Sequence, residues 1–132
     1  ANYPDMLIAT CNWFQSVDQG KIFENAGGHA DEMETSLMLY VRPELVKPLE
    51  QAGEGKAKRF SVEALNESWA WTERKWTRCT DDTGVGDPRK ATREKGEQFF
   101  REVTNKLTGL FVGLAESSIG QMENVFHCCG IF

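Results

Sequence analysis

The run Asp5-Met-Leu-Ile-Ala-Thr-Cys-Asn-Trp-Phe14 constrains the fold more than any other stretch of the chain. It has the length of a strand and little polar alternation, the pattern of a strand buried on both faces, and such strands belong to parallel sheets. A parallel sheet requires neighbouring strands and crossover helices. The run therefore predicts an α/β class. Because 132 residues supply its neighbours only sparingly, the chain is expected to form part of a longer protein.

Downstream, Gln15–Gly28 is polar and closes on Asn25-Ala-Gly-Gly28, a permissive loop that delivers His29 to a helix start. That helix is predicted over Ala30–Val41. Asp31, Glu32 and Glu34 suit the positive end of its dipole, Met33, Leu37, Met38 and Val41 recur at core spacing, and Arg42-Pro43 ends it. From Gly53 to Asp87 the chain carries Trp69, Trp71 and Trp76 among polar residues with no sustained period. It reads as a long excursion with one or two short strands, Ala70–Arg78 among them, whose tryptophans either pack on their own domain or line an interface or substrate wall. A last helix is predicted to start at Asp87-Pro88, an Asp cap followed by a first-turn Pro. It is expected to lay Phe99, Phe100, Val103, Leu107, Leu110, Phe111 and Leu114 across the sheet. The period is lost after Glu116, which divides the chain into one domain over residues 1–116 and a tail over 117–132.

Composition narrows the function classes. The 15 Lys+Arg against 20 Asp+Glu leave a net charge of −5, the wrong sign for a phosphate backbone, so nucleic acid is not expected as a partner. No apolar run approaches the roughly 20 residues that cross a bilayer, and no membrane association is expected. Cys11, Cys79, Cys128 and Cys129 form neither a CxxC pair nor an even framework. With no signal-peptide pattern at the start, the expected compartment is the reducing cytoplasm. The His127-Cys128-Cys129 tail has no second ligand pair, so no metal site is read there.

The chemistry concentrates in Gly27-Gly28-His29-Ala30-Asp31-Glu32-Met33-Glu34-Thr35-Ser36-Leu37-Met38-Leu39. A histidine on a glycine-rich loop at a helix start is open to solvent and able to move a proton near neutral pH, and acids in the following turns fix its tautomer. His29 and Glu34 are five residues apart and need not share a helix face, although His29 precedes the regular turns and can fold back. On the residues alone, a capping or structural role for His29 stands beside the catalytic one.

Three segments follow one another in a telling order: Gly28-His29-Ala30-x-x-x-Glu34-Thr35-Ser36-Leu37, then Pro43-Glu44-Leu45-Val46, then Thr83-Gly84-Val85-Gly86-Asp87-Pro88-x-x-Ala91-Thr92-x-Glu94-Lys95-Gly96. Their order and spacing resemble the C-terminal half of the creatininase (creatinine amidohydrolase) family over about Ile8–Ala115. The resemblance implies an α/β/α sandwich on a mainly parallel sheet, of which this chain would be the C-terminal portion, assembled into a homo-oligomer. It also implies hydrolysis of an amide C–N bond, cyclic amides included, in a small-molecule substrate, with a divalent metal such as Zn or Mn activating a water.

Carried over residue by residue, His29 matches the family histidine that serves as acid/base, Glu34 the acid that orients it, and Trp13 an aromatic that lines the pocket. Asp87-Pro88 and Ala91–Gly96 match segments that shape the start of the last helix. Gly28 and Asn25 stand where creatininase itself carries a Glu and a Trp, which points away from creatinine as the substrate. The family's metal ligands come from a Glu-x-His segment, a nearby Asp and a later His-x-Glu segment of an N-terminal half. With His29 and His127 as its only histidines, the chain is expected to hold none of these ligands.

The leading expectation is thus the C-terminal part of a metal-dependent amidohydrolase, inactive alone. A second is a non-enzymatic binding or assembly module that keeps the family shape, with Trp69, Trp71 or Trp76 at its contacts. A third is a truncated product without independent function.

Overall fold

The computed structural model describes residues 8–25 and 27–118, and the chain divides into two units, Ala1–Val17 with Glu102–Phe132 and Asp18–Arg101. In the second unit, helix α1 spans Glu32–Val41. Asp31 starts it, its side chain accepting a hydrogen bond from the Glu34 N–H, and Arg42 ends it where Pro43 denies the next turn. Two 3-10 turns follow at Pro43–Leu45 and Leu49–Gln51, then two single-turn helices, α2 at Glu63–Asn66 and α3 at Trp76–Cys79. Helix α4 spans Arg93–Glu116 and enters the first unit after Arg101.

The described residues contain helices and irregular segments but no strand. This corrects the expected α/β/α sandwich on a mainly parallel sheet. In the Asp5–Phe14 run, residues 8–12 are irregular, Trp13–Gln15 forms a 3-10 turn, and Ile8 is exposed; residues 5–7 lie outside the described ones. The physical reason is pairing. An apolar run becomes a strand only when a neighbour takes its backbone N–H and C=O groups, and no neighbour of that kind exists among the described residues. The strand expected over Ala70–Arg78 is also replaced, its end coiling into α3.

The start of the last helix is corrected as well. Asp87 does not cap it; its Oδ1 accepts from the Arg89 N–H at 3.0 Å, and the turn closes through Ala91 N–H to Pro88 O at 2.8 Å. Thr92 takes the capping role instead, its hydroxyl accepting from the Lys95 N–H at 3.2 Å.

On α1 the buried residues are Glu32, Met33 and Ser36, whereas Met38 and Val41, expected in the core, are exposed. The close approach of α4 decides this. Gly96 lies so near the Ser36 backbone that an added Cβ would overlap the Ser36 carbonyl, and the Ser36 hydroxyl accepts from the Thr92 N–H at 3.1 Å. Ile22, Phe23, Ala91 and Phe99 complete this core, with the Phe23 and Phe99 rings edge to face at 5.3 Å.

In the first unit Val103 is buried, while Leu110, Phe111 and Val112 are exposed, so the apolar stripe is not packed along its length on anything described. The Trp13 and Phe14 rings meet edge to face at 5.9 Å. The tail from residue 119 onward, with His127, Cys128 and Cys129, lies outside the described residues.

Candidate active site

Two carboxylates from the first turn of α1 shape the loop that leads into His29. Asp31, buried, accepts from the Gly27 and Gly28 N–H groups through Oδ2, at 2.6 and 3.1 Å, while its Oδ1 caps α1. Glu32, also buried, accepts from the Glu24 and Asn25 N–H groups through Oε2, at 2.9 and 2.8 Å. Its Oε1 pairs with the Lys95 ammonium, which donates again to the Lys90 carbonyl at 3.2 Å. Glu24 in turn pairs with Lys90, whose ammonium holds the Glu24 carboxyl below its ordinary range.

A second loop grips His29 from its carbonyl side. The His29 oxygen accepts from both the Val85 and Gly86 N–H groups at 2.9 Å. This requires backbone against backbone: a Cβ on Gly86 would overlap Asp31, and one on Gly28 would sit 2.8 Å from the Gly86 nitrogen. Ala30 follows at φ 56°, a left-handed conformation, and its N–H donates to Glu34 Oε2 at 2.7 Å. The same oxygen lies 3.5 Å from His29 Nδ1, and the imidazole side chain remains 57% exposed. Helix α3 brings Trp76 onto the ring at a centroid distance of 5.4 Å and an interplanar angle of 81°.

Asp82 organises the turn beyond Trp76. It accepts from the Gly53 and Gly84 N–H groups and from the Thr80 hydroxyl. Chiefly the Gly84 N–H, then Thr80, hold its carboxyl below the ordinary range. A cleft of about 310 Å³ opens between Val46–Gly53 and Asp82–Gly86, and Ala30 and Thr35 complete its wall. The residue following His29 thus faces a space of small-ligand size.

Of the residues singled out by sequence, His29 and Glu34 are brought together. Trp13 belongs to the other unit, where its ring meets Phe14. Sequence reasoning missed Asp31 and Glu32, taken only as dipole acids, and the contact of Trp76 with His29. The Asp31-x-x-Glu34 spacing is a capping signature that could have flagged the first; no spacing rule links Trp76 to His29.

An exposed imidazole with a carboxylate 3.5 Å from one nitrogen can take up and return a proton at the other. Metal ligation is a different matter. Among the described residues no three His, Cys, Asp or Glu side chains come together to hold an ion, and the oxygens of Asp31 and Glu32 are engaged by N–H groups and Lys95. These residues do not fit the divalent metal implied by the resemblance. No helix among them is long and apolar enough to cross a membrane.

Comparison with solved structures finds a hydrolase-class relative, a protein of Bacteroides fragilis described as a candidate creatinine amidohydrolase. It is 46% identical with a TM-score of 0.79, over 89% of this chain and 47% of that one. The sequence profile of the creatininase family, described as creatinine amidohydrolase, matches residues 2–111. The chain belongs to the creatininase family. It spans about half the length of the solved relative, and no curated protein sequence matches it.

Proposed function

We propose that the chain carries the proton-transfer part of a creatininase-type amidohydrolase that cleaves an amide C–N bond, cyclic amides included, in a small molecule other than creatinine. The observation that carries this reading is the pairing of a half-exposed His29 imidazole with Glu34 at 3.5 Å, on a loop pinned from both sides. Amide hydrolysis needs one proton removed from the attacking water and one delivered to the departing nitrogen. His29 does both through Nε2, and Glu34 holds Nδ1 and stabilises the imidazolium between the two steps. On the family resemblance alone, Trp13 is assigned as the pocket aromatic of the complete enzyme. A divalent metal such as Zn or Mn would take its ligands from residues other than the described ones, and its chemistry would be the activation of a water.

In an active assembly containing this chain, His29→Ala is expected to lower kcat by about 10²–10⁴-fold, with the metal content by elemental mass spectrometry unchanged. Turnover that survives the substitution returns His29 to a structural role.

A second reading, an assembly or binding module without hydrolysis, draws on the exposure of Trp69 and Trp71, 75% and 86%. It requires a homo-oligomer by light scattering with no bound metal and no amide cleavage. A cytoplasmic location is supported by Cys11 and Cys79, both free thiols.

A further inference from the structure

Glu34 constrains the His29 ring at one atom, and a single contact at 3.5 Å to Nδ1 does not set the plane of the imidazole. Trp76 meets that plane almost at right angles, with centroids 5.4 Å apart, a geometry that aromatic pairs favour. We propose that Trp76 is a positioning residue for His29: its indole holds the ring so that Nδ1 faces Glu34 and Nε2 faces the substrate. The proposal rests on the proton-transfer role assigned to His29 above.

Three observations carry it. The indole is itself anchored, Trp76 Nε1 donating to the Thr83 carbonyl at 3.2 Å. Thr83 aims that carbonyl from φ 74°, where a β-branched residue is strained and is held only by its surroundings. Here the surroundings are Asp82, which accepts from the Gly84 N–H at 3.1 Å, and Thr80, whose single hydroxyl proton lies between the Gly84 carbonyl at 2.6 Å and Asp82 Oδ1 at 3.1 Å. The third observation is that the same short segment reaches His29 twice, by the Trp76 ring and by the Val85 and Gly86 N–H groups on its carbonyl. One piece of chain thereby fixes both the backbone and the side chain of the histidine. Buried Cys79, at the end of α3, roots that piece in the fold.

The test is imidazole NMR on the full chain, whose two histidines are His29 and His127, with His29→Gln assigning the signals. The wild type is expected to give nuclear Overhauser contacts between the Trp76 indole and the His29 ring, and a neutral His29 that carries its proton on Nδ1. Trp76→Leu should lose that preference and revert toward the Nε2-protonated form that unconstrained histidine favours. Trp76→Phe, which keeps a ring, should restore it. In an active assembly Trp76→Leu lowers kcat by about 10–10²-fold with KM little changed, the penalty of a misdirected catalytic group.

Absence of the wild-type contacts, or a Trp76→Leu tautomer like wild type, overturns the proposal. If Trp76→Leu does not fold, the wild-type contacts and Trp76→Phe decide. Loss of the tautomer preference with His29→Ala still active would instead refute the catalytic role of His29 and leave the positioning intact.

Discussion

Glu32 is a carboxylate without water around it, tolerated because each oxygen is answered: two N–H groups on Oε2 and the Lys95 ammonium on Oε1. Removing it strands a cation and two part-buried donors together. Breaking a buried pair by deleting one partner costs about 3–5 kcal/mol. Because Lys95 keeps 26% of its side-chain surface in water, Glu32→Ala belongs at about 3 kcal/mol, the low end of that range. Glu32→Gln, which still accepts from the loop, should cost less. Urea unfolding followed by helix circular dichroism measures both, and equal costs would show that the charge pair with Lys95 and not the loop N–H groups dominates. The sequence announced three acids at a helix start, and the helix is there. What it did not announce is that Asp31 and Glu32 turn back onto the preceding loop, because burial depends on where Lys95 and the Glu24–Asn25 backbone arrive from, and those approaches are set by tertiary packing.

Among the elements, the crossing of α1 and α4 turns on one missing side chain. Gly96→Ala would gain about 1 kcal/mol of helix propensity, yet the added methyl meets the Ser36 carbonyl, a backbone atom that cannot rotate away. Overpacking of this kind costs about 1–3 kcal/mol, so the steric term wins and the variant is expected to be less stable. Gly109→Ala, on the same helix, has nothing described within 4 Å of its Cβ and should stabilise by about 0.5–1 kcal/mol. Opposite shifts in thermal midpoint are the expected result. Both long helices were legible from their period, and Arg42-Pro43 fixed the end of α1. The start of α4 was not, since Asp87-Pro88 satisfies a cap rule equally well as a tight turn, and only the Ala91-to-Pro88 bond decides between them. The buried face of α1 escaped for a related reason: Ser36 looks polar in sequence but is small enough for Gly96 to rest against.

For the molecule as a whole, acid acts on the segment that grips His29. The Arg89 guanidinium, donating to Asp87, holds that carboxyl down from 3.8 to about 2. Asp82 is lowered too, first by the Gly84 N–H and then by the Thr80 hydroxyl. Carboxylates depressed in the folded state contribute stability that is complete above their ordinary value and lost as pH falls through the folded one. The chain should therefore weaken from 3.8 downward toward about 2, and Asp82→Asn should show a shallower dependence when thermal unfolding is followed across that window. The fold class was the least legible property. The Asp5–Phe14 run has the composition of a sheet interior, but a sheet is a relation between segments, and this chain spans only 47% of its solved relative. The motifs around His29, being local and contiguous, survived where the sheet did not.

The excursion after Gly53 is clasped twice at its neck, by Gly53 N–H to Asp82 at 3.0 Å and by Lys58 N–H to the Cys79 carbonyl at 2.7 Å. Lengthening a closed loop raises its entropy cost only with the logarithm of its length. What hangs beyond the clasps, up to Trp76, is thus free to grow, shrink or change sequence without disturbing the histidine. Variation among relatives has a place to accumulate next to the chemistry, on a stem closed by two hydrogen bonds.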